Sequence, residues 1–229
     1  MAMHRIRTIP IGLMVVILAA CASAGENLPS PDQPTPTTVA VPSSTSVEEE
    51  PAPAEIAATG ESLPPGLYTR SSFAPPIRLE LDGSWEAVQL ADGFFDVQKM
   101  VGTPDVIAVQ FANVMGVVGA AGVVEPLSAQ DAVDILGENE ALTVIETSSS
   151  RLGGLAGSQV TIENQSDSHS PVLEVRPGLL GIDPGRRLWI AFFDTDAGLL
   201  SVMVGGSTEQ WDSALREAEP VLESVVIGT

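Results

Sequence analysis

Side chains that commonly perform acid–base or nucleophilic chemistry are scarce in this sequence of 229 residues. One of its two histidines is His4, near the first residue, and the other, His169, lies in the polar segment 166–171. A catalytic triad needs a nucleophile, a base and an orienting group held rigidly together. Gly157 and Ser158 lack the second glycine of a nucleophile elbow. We therefore expect His169 to be a solvated loop residue and the chain not to be an enzyme.

Acidic residues near position 195 have a spacing similar to the start of a calcium-binding loop. Asp194 and Asp196 would be the first ligands, but the glycine required at the sixth position is Leu199. Gly198 instead suits the backbone of a hairpin turn, and residues 183–185 (Asp-Pro-Gly) are also typical of a turn. With one cysteine in the chain, a zinc site built from several thiolates is excluded. We predict no metal or cofactor.

An apolar segment with regularly spaced glycines covers residues 114–124. Gly116, Gly119 and Gly122 recur every third residue, which matches neither a Walker loop nor a dinucleotide fingerprint, and no lysine follows. The segment is also too short to span a bilayer. We predict a buried hairpin, and the alternative is a partly exposed apolar loop that serves as an interface.

The chain is strongly acidic, with a formal net charge of -20 from 30 acidic and 10 basic residues. Such a surface repels nucleic acid, because phosphate binding needs lysine or arginine. The acidity indicates either a cationic or neutral partner or the solubility of an exported protein. The even spread of the acids favours solubility.

Paired carboxylates cannot be assigned to a site without a cleft and a perturbed pKa, so a carboxylate-dependent hydrolase remains an alternative.

The first residues have the pattern of a secretory signal. Arg5 and Arg7 precede an apolar run over residues 9–20, and small residues follow. Residues 18–21 (Leu-Ala-Ala-Cys) resemble the lipobox of bacterial lipoproteins, in which the signal peptide is removed before the cysteine. The alternative is an ordinary signal peptide with a chance cysteine.

The lipobox resemblance implies that residues 1–20 are a signal peptide and that Cys21 carries a diacylglyceryl group. A second or third acyl chain makes such anchoring stable, since one chain alone binds a membrane only marginally. We therefore expect lipid anchoring on the extracytoplasmic face of a cell membrane.

A low-complexity tether follows the predicted anchor. Residues 21–62 are rich in proline, serine and threonine and contain no lysine, arginine or aromatic residue. Such a segment buries too little apolar surface to offset the entropy of ordering it. We interpret it as a disordered spacer, with a binding motif in the Pro/Thr stretch as the alternative, and place the globular domain at residues 63–229.

Strand patterns dominate the predicted domain. Ile77, Leu79 and Leu81 alternate with polar residues, and the segment after Asp82-Gly83 is a possible partner strand. The predicted strands are 77–81, 85–88, 93–99, 105–112, 141–147 and 157–163, followed by a hairpin of 187–194 and 199–204.

Two helices are predicted. Ser128 is suited to cap the first, with Asp131 three residues later and Gly137 as its end. The second is expected to start near Ser207 and to be kinked or ended by Pro220. Its apolar stripe is Trp211, Leu215, Ala218 and Leu222. The order of elements predicts an α+β fold, an antiparallel sheet with packed helices.

Several local motifs together resemble the PsbP-like fold of actinobacterial lipoproteins. They are residues 83–85 (Gly-Ser-Trp), the glycine segment 153–157, the late hairpin and the closing helix that contains Trp211 and Pro220. The resemblance covers most of residues 63–229. It implies a binding or assembly protein rather than a catalyst, and it transfers no binding residue to this chain.

We therefore predict a membrane-anchored, non-enzymatic module that binds a protein or a cell-envelope component. The main alternative is a lipoprotein that binds a small molecule or lipid, with segment 114–124 near the mouth of its pocket. The oligomeric state is left open.

Overall fold

The computed structural model describes residues 52–176 and 178–228. The predicted signal peptide, the lipidation site Cys21 and the larger part of the tether lie outside the described residues. Residues 52–62, which we assigned to the tether, are described and contribute to the folded domain.

The described chain consists mainly of β-strands with two helices. The strands are β1 Ala54–Glu55, β2 Glu61–Leu63, β3 Gly66–Arg70, β4 Ile77–Leu81, β5 Trp85–Ala91, β6 Phe94–Lys99, β7 Ile107–Asn113, β8 Gly116–Gly119, β9 Gly122–Val124, β10 Leu142–Leu152, β11 Leu155–Asn164, β12 Ser170–Val175, β13 Gly178–Ile182, β14 Arg186–Thr195, β15 Gly198–Ser207 and β16 Val226–Ile227. The helices are α1 Ala129–Gly137 and α2 Trp211–Ser224. Sheets therefore dominate more than the predicted α+β class suggests.

The strands form three sheets. The central sheet has eight strands in the order β10-β11-β14-β15-β7-β6-β5-β2, and all its pairs are antiparallel. Two four-stranded sheets have the orders β1-β3-β4-β16 and β13-β12-β8-β9. Only β1 and β3 pair in parallel among the strands described.

The central sheet is buried on both faces where β14 and β15 pair. Successive β14 side chains point to opposite faces, so Ala191 and Phe193 enter one hydrophobic core while Ile190 and Phe192 enter the other. This explains why residues 187–194 read as a nearly continuous apolar run rather than an alternating one. The predicted hairpin is confirmed, with strands extending to Arg186 and Ser207.

Each core is closed by one small sheet and one helix. The first core contains side chains of β3, β4 and α2, including Leu79, Ala218 and Val221. The second core contains side chains of α1, β8 and β12, including Leu136 and Leu173. The domain is therefore three-layered, with the central sheet between two covers.

Helix α1 begins as the sequence predicts. The Ser128 hydroxyl accepts a hydrogen bond from the Asp131 N–H at 3.2 Å, and the Asp131 carboxylate accepts from the Leu127 N–H at 2.7 Å. Asp194, at the end of β14, accepts from the Ala129 N–H at 3.1 Å. These side chains satisfy N–H groups that a helix start leaves unpaired.

Helix α2 starts later than predicted and continues past Pro220. Ser207 is the last residue of β15, paired with Arg186, so it belongs to the sheet and the helix begins at Trp211. The Ser207 hydroxyl still accepts from the Gln210 N–H at 3.3 Å. Pro220 lies inside the helix, which continues to Ser224. Buried Val221 on the following turn anchors that continuation in the first core.

The expected pairing of the strands on either side of Asp82-Gly83 is wrong. β4 pairs with β3 and β16, whereas β5 pairs with β2 and β6 in the central sheet. The chain therefore crosses between layers at Asp82 instead of forming a hairpin.

Ile56, which follows β1, is fully buried in the first core, so the folded domain includes part of the predicted tether.

The segment 114–124 forms the predicted hairpin, but only half of it is buried. β8 lies in the interior, while Val123 and Val124 of β9 are exposed at the edge of their sheet. Both of the original expectations thus hold in part: a buried strand and an exposed apolar one.

Lys99 connects α2 to the crossing point at Asp82. Its ammonium lies 2.8 Å from the Glu217 carboxylate, 3.2 Å from the Asp82 carboxylate and 4.9 Å from the ring centre of Trp85. The indole N–H of Trp85 and the Lys99 ammonium lower the pKa of Asp82 despite its partial burial. These contacts fix the middle of α2, at Glu217, against the sheet.

The contact between α2 and β15 gives a direct test of the packing. A Cβ at Gly206 would lie 2.7 Å from the Cβ of Ala214, whereas a Cβ at neighbouring Gly205 would meet Leu188 at an ordinary 3.5 Å. We expect Gly206→Ala to lower the free energy of unfolding by roughly 1–3 kcal/mol. Gly205→Ala should change it much less. Urea unfolding of both variants measures this, and equal effects would contradict the packing described.

Candidate functional site

A wide groove lies where the central sheet extends beyond helix α2. The helix packs on β15, β7 and β4. Three strands beyond β15, namely β14, β11 and β10, continue the same sheet face past the helix. The resulting groove has a volume of about 840 Å³. We call it the ledge groove.

The ledge groove has a sheet floor and a helical wall. The floor is formed by β10, β11 and β14, through Ile145, Glu146, Ser149, Ser150, Arg151, Leu152, Gln159, Thr161, Arg187 and Trp189. The wall is formed by α2, through Trp211, Asp212, Leu215, Arg216, Glu219, Leu222 and Glu223. Gly153 closes one end.

Two tryptophans and one arginine form the corner between floor and wall. Trp189 is half-buried, whereas Trp211 is only 7% exposed. The Arg187 guanidinium lies 5.6 Å from the ring centre of Trp211 and donates to the Glu163 carboxylate at 2.6 Å. Arg187 is therefore neutralised and held in place, and the exposed part of Trp189 offers an aromatic surface in the groove.

The strand β11 explains the polar floor. Val160 and Ile162 point into the second core, while the intervening Gln159 and Thr161 face the ledge groove. The Gln159 amide donates to the Ser148 hydroxyl of β10 at 2.9 Å. An apolar face towards the core and a polar face towards solvent is the pattern of a sheet covered on one side.

The charges of the ledge groove are mixed and predominantly acidic. Arg216 has no hydrogen-bond or ion-pair partner within the described part of the chain, while the wall and floor carry four carboxylates. These are Glu146, Asp212, Glu219 and Glu223. Arg151 pairs with Ala156 across the hairpin, a register that directs its side chain to the α1 side of the sheet. The groove therefore suits a neutral or cationic group.

A tight turn joins β10 to β11, the outer hairpin of the central sheet, which forms part of the floor of the ledge groove. Leu152 pairs with Leu155, so Gly153 and Gly154 alone form the loop, with φ of 55° and 85°. A two-residue loop with positive φ at both positions matches the right-handed twist of its strands. The glycine segment noted in the sequence thus sets the register of β10 against β11.

The histidine considered in the sequence lies away from the ledge groove. His169 is exposed between β11 and β12, with its Nδ1 2.8 Å from a carboxylate oxygen of Asp183. Neither residue is among those that line the groove. The loop position expected for His169 is confirmed.

The acidic residues considered as calcium ligands form a hairpin turn. Thr195 pairs with Gly198, and the φ of Gly198 is 111°. The Thr195 hydroxyl donates a hydrogen bond to the Gly198 carbonyl at 2.7 Å. Asp194 is used at the start of α1. Within residues 52–176 and 178–228, no three His, Cys, Asp or Glu side chains are grouped to hold a metal ion.

A second groove lies beside the segment 114–124. Its volume is about 570 Å³, and its lining includes Val114, Met115, Leu127 and Asp194. Leu127 is 92% exposed. This is the feature that corresponds to the expected pocket mouth near residues 114–124.

One carboxyl group with a raised pKa lies inside the central sheet. Asp96 of β6 is 2% exposed, and burial raises its pKa, although it accepts hydrogen bonds from the Gln89 N–H at 2.6 Å and the Gln98 amide at 2.7 Å. Gln110 also lowers the pKa. Asp96 is not among the lining residues of the ledge groove, so we assign this buried carboxyl a structural role inside the sheet.

The buried carboxyl predicts a pH dependence of stability. Since its folded-state pKa is raised above the unfolded value of about 3.9, the folded chain retains this proton to higher pH than the unfolded chain. Its contribution therefore decreases as pH rises from about 4 through the folded pKa. Asp96→Asn should gain stability relative to the natural chain over that range.

Urea unfolding at several pH values between 4 and 7 measures the difference between the two chains. Asp92→Asn, at an exposed turn, controls for the change in net charge. A difference for Asp96→Asn that does not vary with pH would refute the role given to burial.

Sequence reasoning found no part of the ledge groove in advance. Trp189 lay within a predicted strand and Trp211 within a predicted apolar stripe, but nothing local indicated that they meet. The available signal was β11, where apolar residues alternate with polar ones while β14 is apolar on both faces.

No helix in the part of the chain that the structure describes has the length and apolar character needed to cross a membrane.

Comparison of the sequence with known proteins does not assign this chain to a family. No protein family matches the sequence, and no curated protein matches it. Solved structures with a similar backbone include the three that follow. A crystal structure from Bacteroides thetaiotaomicron has 8% identity and a TM-score of 0.37, over 67% of this chain and 45% of that one. This chain thus spans less than half of that protein.

The other two structures match over most of their length. LpqN of Mycobacterium tuberculosis, described as involved in cell envelope biogenesis, has 8% identity and a TM-score of 0.38, over 78% of this chain and 90% of its own. The cyanobacterial PsbP, CyanoP, of Synechocystis has 12% identity and a TM-score of 0.40, over 75% and 97%. At these TM-scores the likeness assigns neither family nor function.

Proposed function

We propose that this chain is a lipid-anchored extracytoplasmic lipoprotein whose domain binds a protein or cell-envelope component at the ledge groove, without catalysing a reaction. The observation that carries the proposal is the groove itself. It combines an exposed aromatic surface at Trp189, a hydrogen-bonding floor at Gln159 and Thr161, and an acidic wall on α2. Aromatic and polar groups side by side are typical of binding surfaces.

The anchor follows from the sequence at Cys21. The apolar run before it, the small residues 19–20 and the lack of any other cysteine support lipid attachment at this thiol. The proline-rich residues after it would separate the domain from the membrane surface. The proposed location is therefore the outer face of a cell membrane.

The arrangement of acids and histidine favours binding over hydrolysis. The carboxylates of the ledge groove are exposed to solvent, and the carboxyl group with a raised pKa, Asp96, is enclosed elsewhere. His169 and Asp183 contact each other through an imidazole nitrogen and a carboxylate oxygen, and neither residue lines the ledge groove. A general acid and base would need to converge on one bound group.

A small-molecule or lipid ligand is the second candidate. The observation that favours it is the second groove, where exposed Leu127 and Met115 (45% exposed) offer apolar surface. The cores themselves are filled by large side chains such as Phe95, Phe111 and Trp85, so a ligand of this kind would bind at the surface.

In-cell cross-linking tests the main proposal. A photoreactive residue replaces Arg216, which is exposed on the groove wall, or Asp92, which is exposed in the β5–β6 turn outside it. We expect a discrete adduct at position 216 and none at position 92. Mass spectrometry of the adduct identifies the partner as protein or envelope component.

The same experiment with Cys21→Ser tests the anchor. The unanchored chain should leave the membrane fraction and lose the adduct, because the partner is met at the membrane. Membrane retention of Cys21→Ser would contradict the anchor. Equal adducts at positions 216 and 92 would contradict the groove, and a lipid that co-purifies with the natural chain but not with Leu127→Ser would favour the second candidate.

A further inference from the structure

We propose that the partner presents an extended, basic polypeptide segment, which adds as a further strand along the outer edge of β10. The inference rests on the proposed binding function and specifies the partner's chemistry and its mode of attachment. Its basis is the edge of the central sheet, the hydrogen-bonding register of the outer hairpin and the charge around the ledge groove.

The two edges of the central sheet differ greatly in length. β10 has 11 residues and lies at one end of the strand order, while β2 at the other end has 3 residues. Within β10, the run from Val144 to Ser149 is exposed throughout. A short edge strand offers little to pair with, whereas a long one presents a continuous row of backbone donors and acceptors.

The register of the hairpin tells which backbone groups of β10 face outwards. Pairing is continuous from Leu152 to Glu146, with an irregularity only between Val144 and Glu146. The pair that closes a two-residue hairpin exchanges both of its hydrogen bonds, and bonded and non-bonded pairs then alternate. The N–H and C=O groups of Thr147, Ser149 and Arg151 therefore point away from β11.

The chemistry of this edge permits another strand to approach. Natural proteins protect exposed edges with lysine, proline or inward-pointing charges. β10 contains neither lysine nor proline, its two charged residues, Glu146 and Arg151, flank the strand's middle, and residues 147–150 are the small polar sequence Thr-Ser-Ser-Ser. The regular part from Glu146 to Leu152 is as long as an ordinary strand, and the bridge between Gly153 and Val226 of β16 bounds it at one end, so an extended segment can pair along β10 up to that bridge.

The charge of the surroundings selects a basic segment. Glu146 and Ser150 lie on the same sheet face as the ledge groove, because they pair with Thr161 and Gly157 of β11. Alternate side chains of an added strand would point to that face, and a lysine or arginine opposite Glu146 forms a cross-strand ion pair. Asp212, Glu219 and Glu223 extend the negative charge across the groove and outnumber the one cation of the helical wall, Arg216.

Synthetic peptides of fixed charge test the inference on the purified protein. The probes are ten-residue repeats of Lys-Thr, Lys-Pro and Glu-Thr, with binding followed by fluorescence anisotropy. Lys-Thr can form a strand, Lys-Pro carries the same charge but lacks half of the N–H donors, and Glu-Thr reverses the charge. We expect Lys-Thr to bind at least about tenfold more tightly than either of the others.

Substitutions at Ser149 provide the matched test on the protein. Ser149→Pro removes an outward N–H without removing a bond to β11, whereas Ser149→Ala keeps that N–H and removes only the hydroxyl. We expect Ser149→Pro to weaken Lys-Thr binding by about tenfold and Ser149→Ala to leave it near that of the natural chain. If Ser149→Pro does not fold, amide hydrogen exchange of the natural chain decides: bound Lys-Thr must slow exchange at Thr147, Ser149 and Arg151.

Three results would overturn strand addition. Equal affinity for Lys-Thr and Lys-Pro would show attraction by charge alone, and unchanged exchange at those three amides on binding would place the peptide elsewhere. Absence of Lys-Thr binding would likewise overturn it. With any of these three results, an adduct at position 216 in cells would still support the proposed groove function, so the two proposals can fail separately.

Discussion

The pairing of β14 with β15 constrains the whole domain, because this hairpin sends large apolar side chains to both faces of the central sheet. Phe193 and Val202 need cover on one side, and Phe192 and Met203 need it on the other. A single helix cannot supply both, so the chain builds two covers, each with a small sheet and one helix. Removing either cover would expose a complete hydrophobic face to water.

The ledge groove is a consequence of how far one of these covers reaches. Helix α2 lies over β15 and β7, while β10 lies three strand spacings from β15, or about 14 Å. The sheet face beyond the helix is polar in β11, where Gln159 and Thr161 replace the apolar side chains found in β14. The groove and the open edge of β10 therefore arise from the same overhang, and a partner can use both at once.

Local patterns in the sequence were sufficient for many of the elements, although they missed β3, β12 and β13, and they did not predict the assembly. The cap of α1 at Ser128 and the late hairpin depend on neighbours within a few residues, and both were predicted. The separation of β4 from β5 and the meeting of Trp189 with Trp211 depend on distant pairing, which local periodicity does not encode. Ser207 was misread because a strand end and a helix cap both favour serine. Cys21 lies outside the described residues and stays a prediction.

The central claim is that the ledge groove is covered by a partner in the cell, and thiol accessibility tests it most directly. Gln159→Cys places a thiol on the groove floor, and Asp92→Cys places one in an exposed turn away from it. Cys21 is the one natural cysteine, so the new thiol is the main target of a maleimide. We predict that position 159 reacts in the purified protein and is protected on intact cells, while position 92 reacts equally in both. Equal reaction at position 159 in both settings would contradict the account.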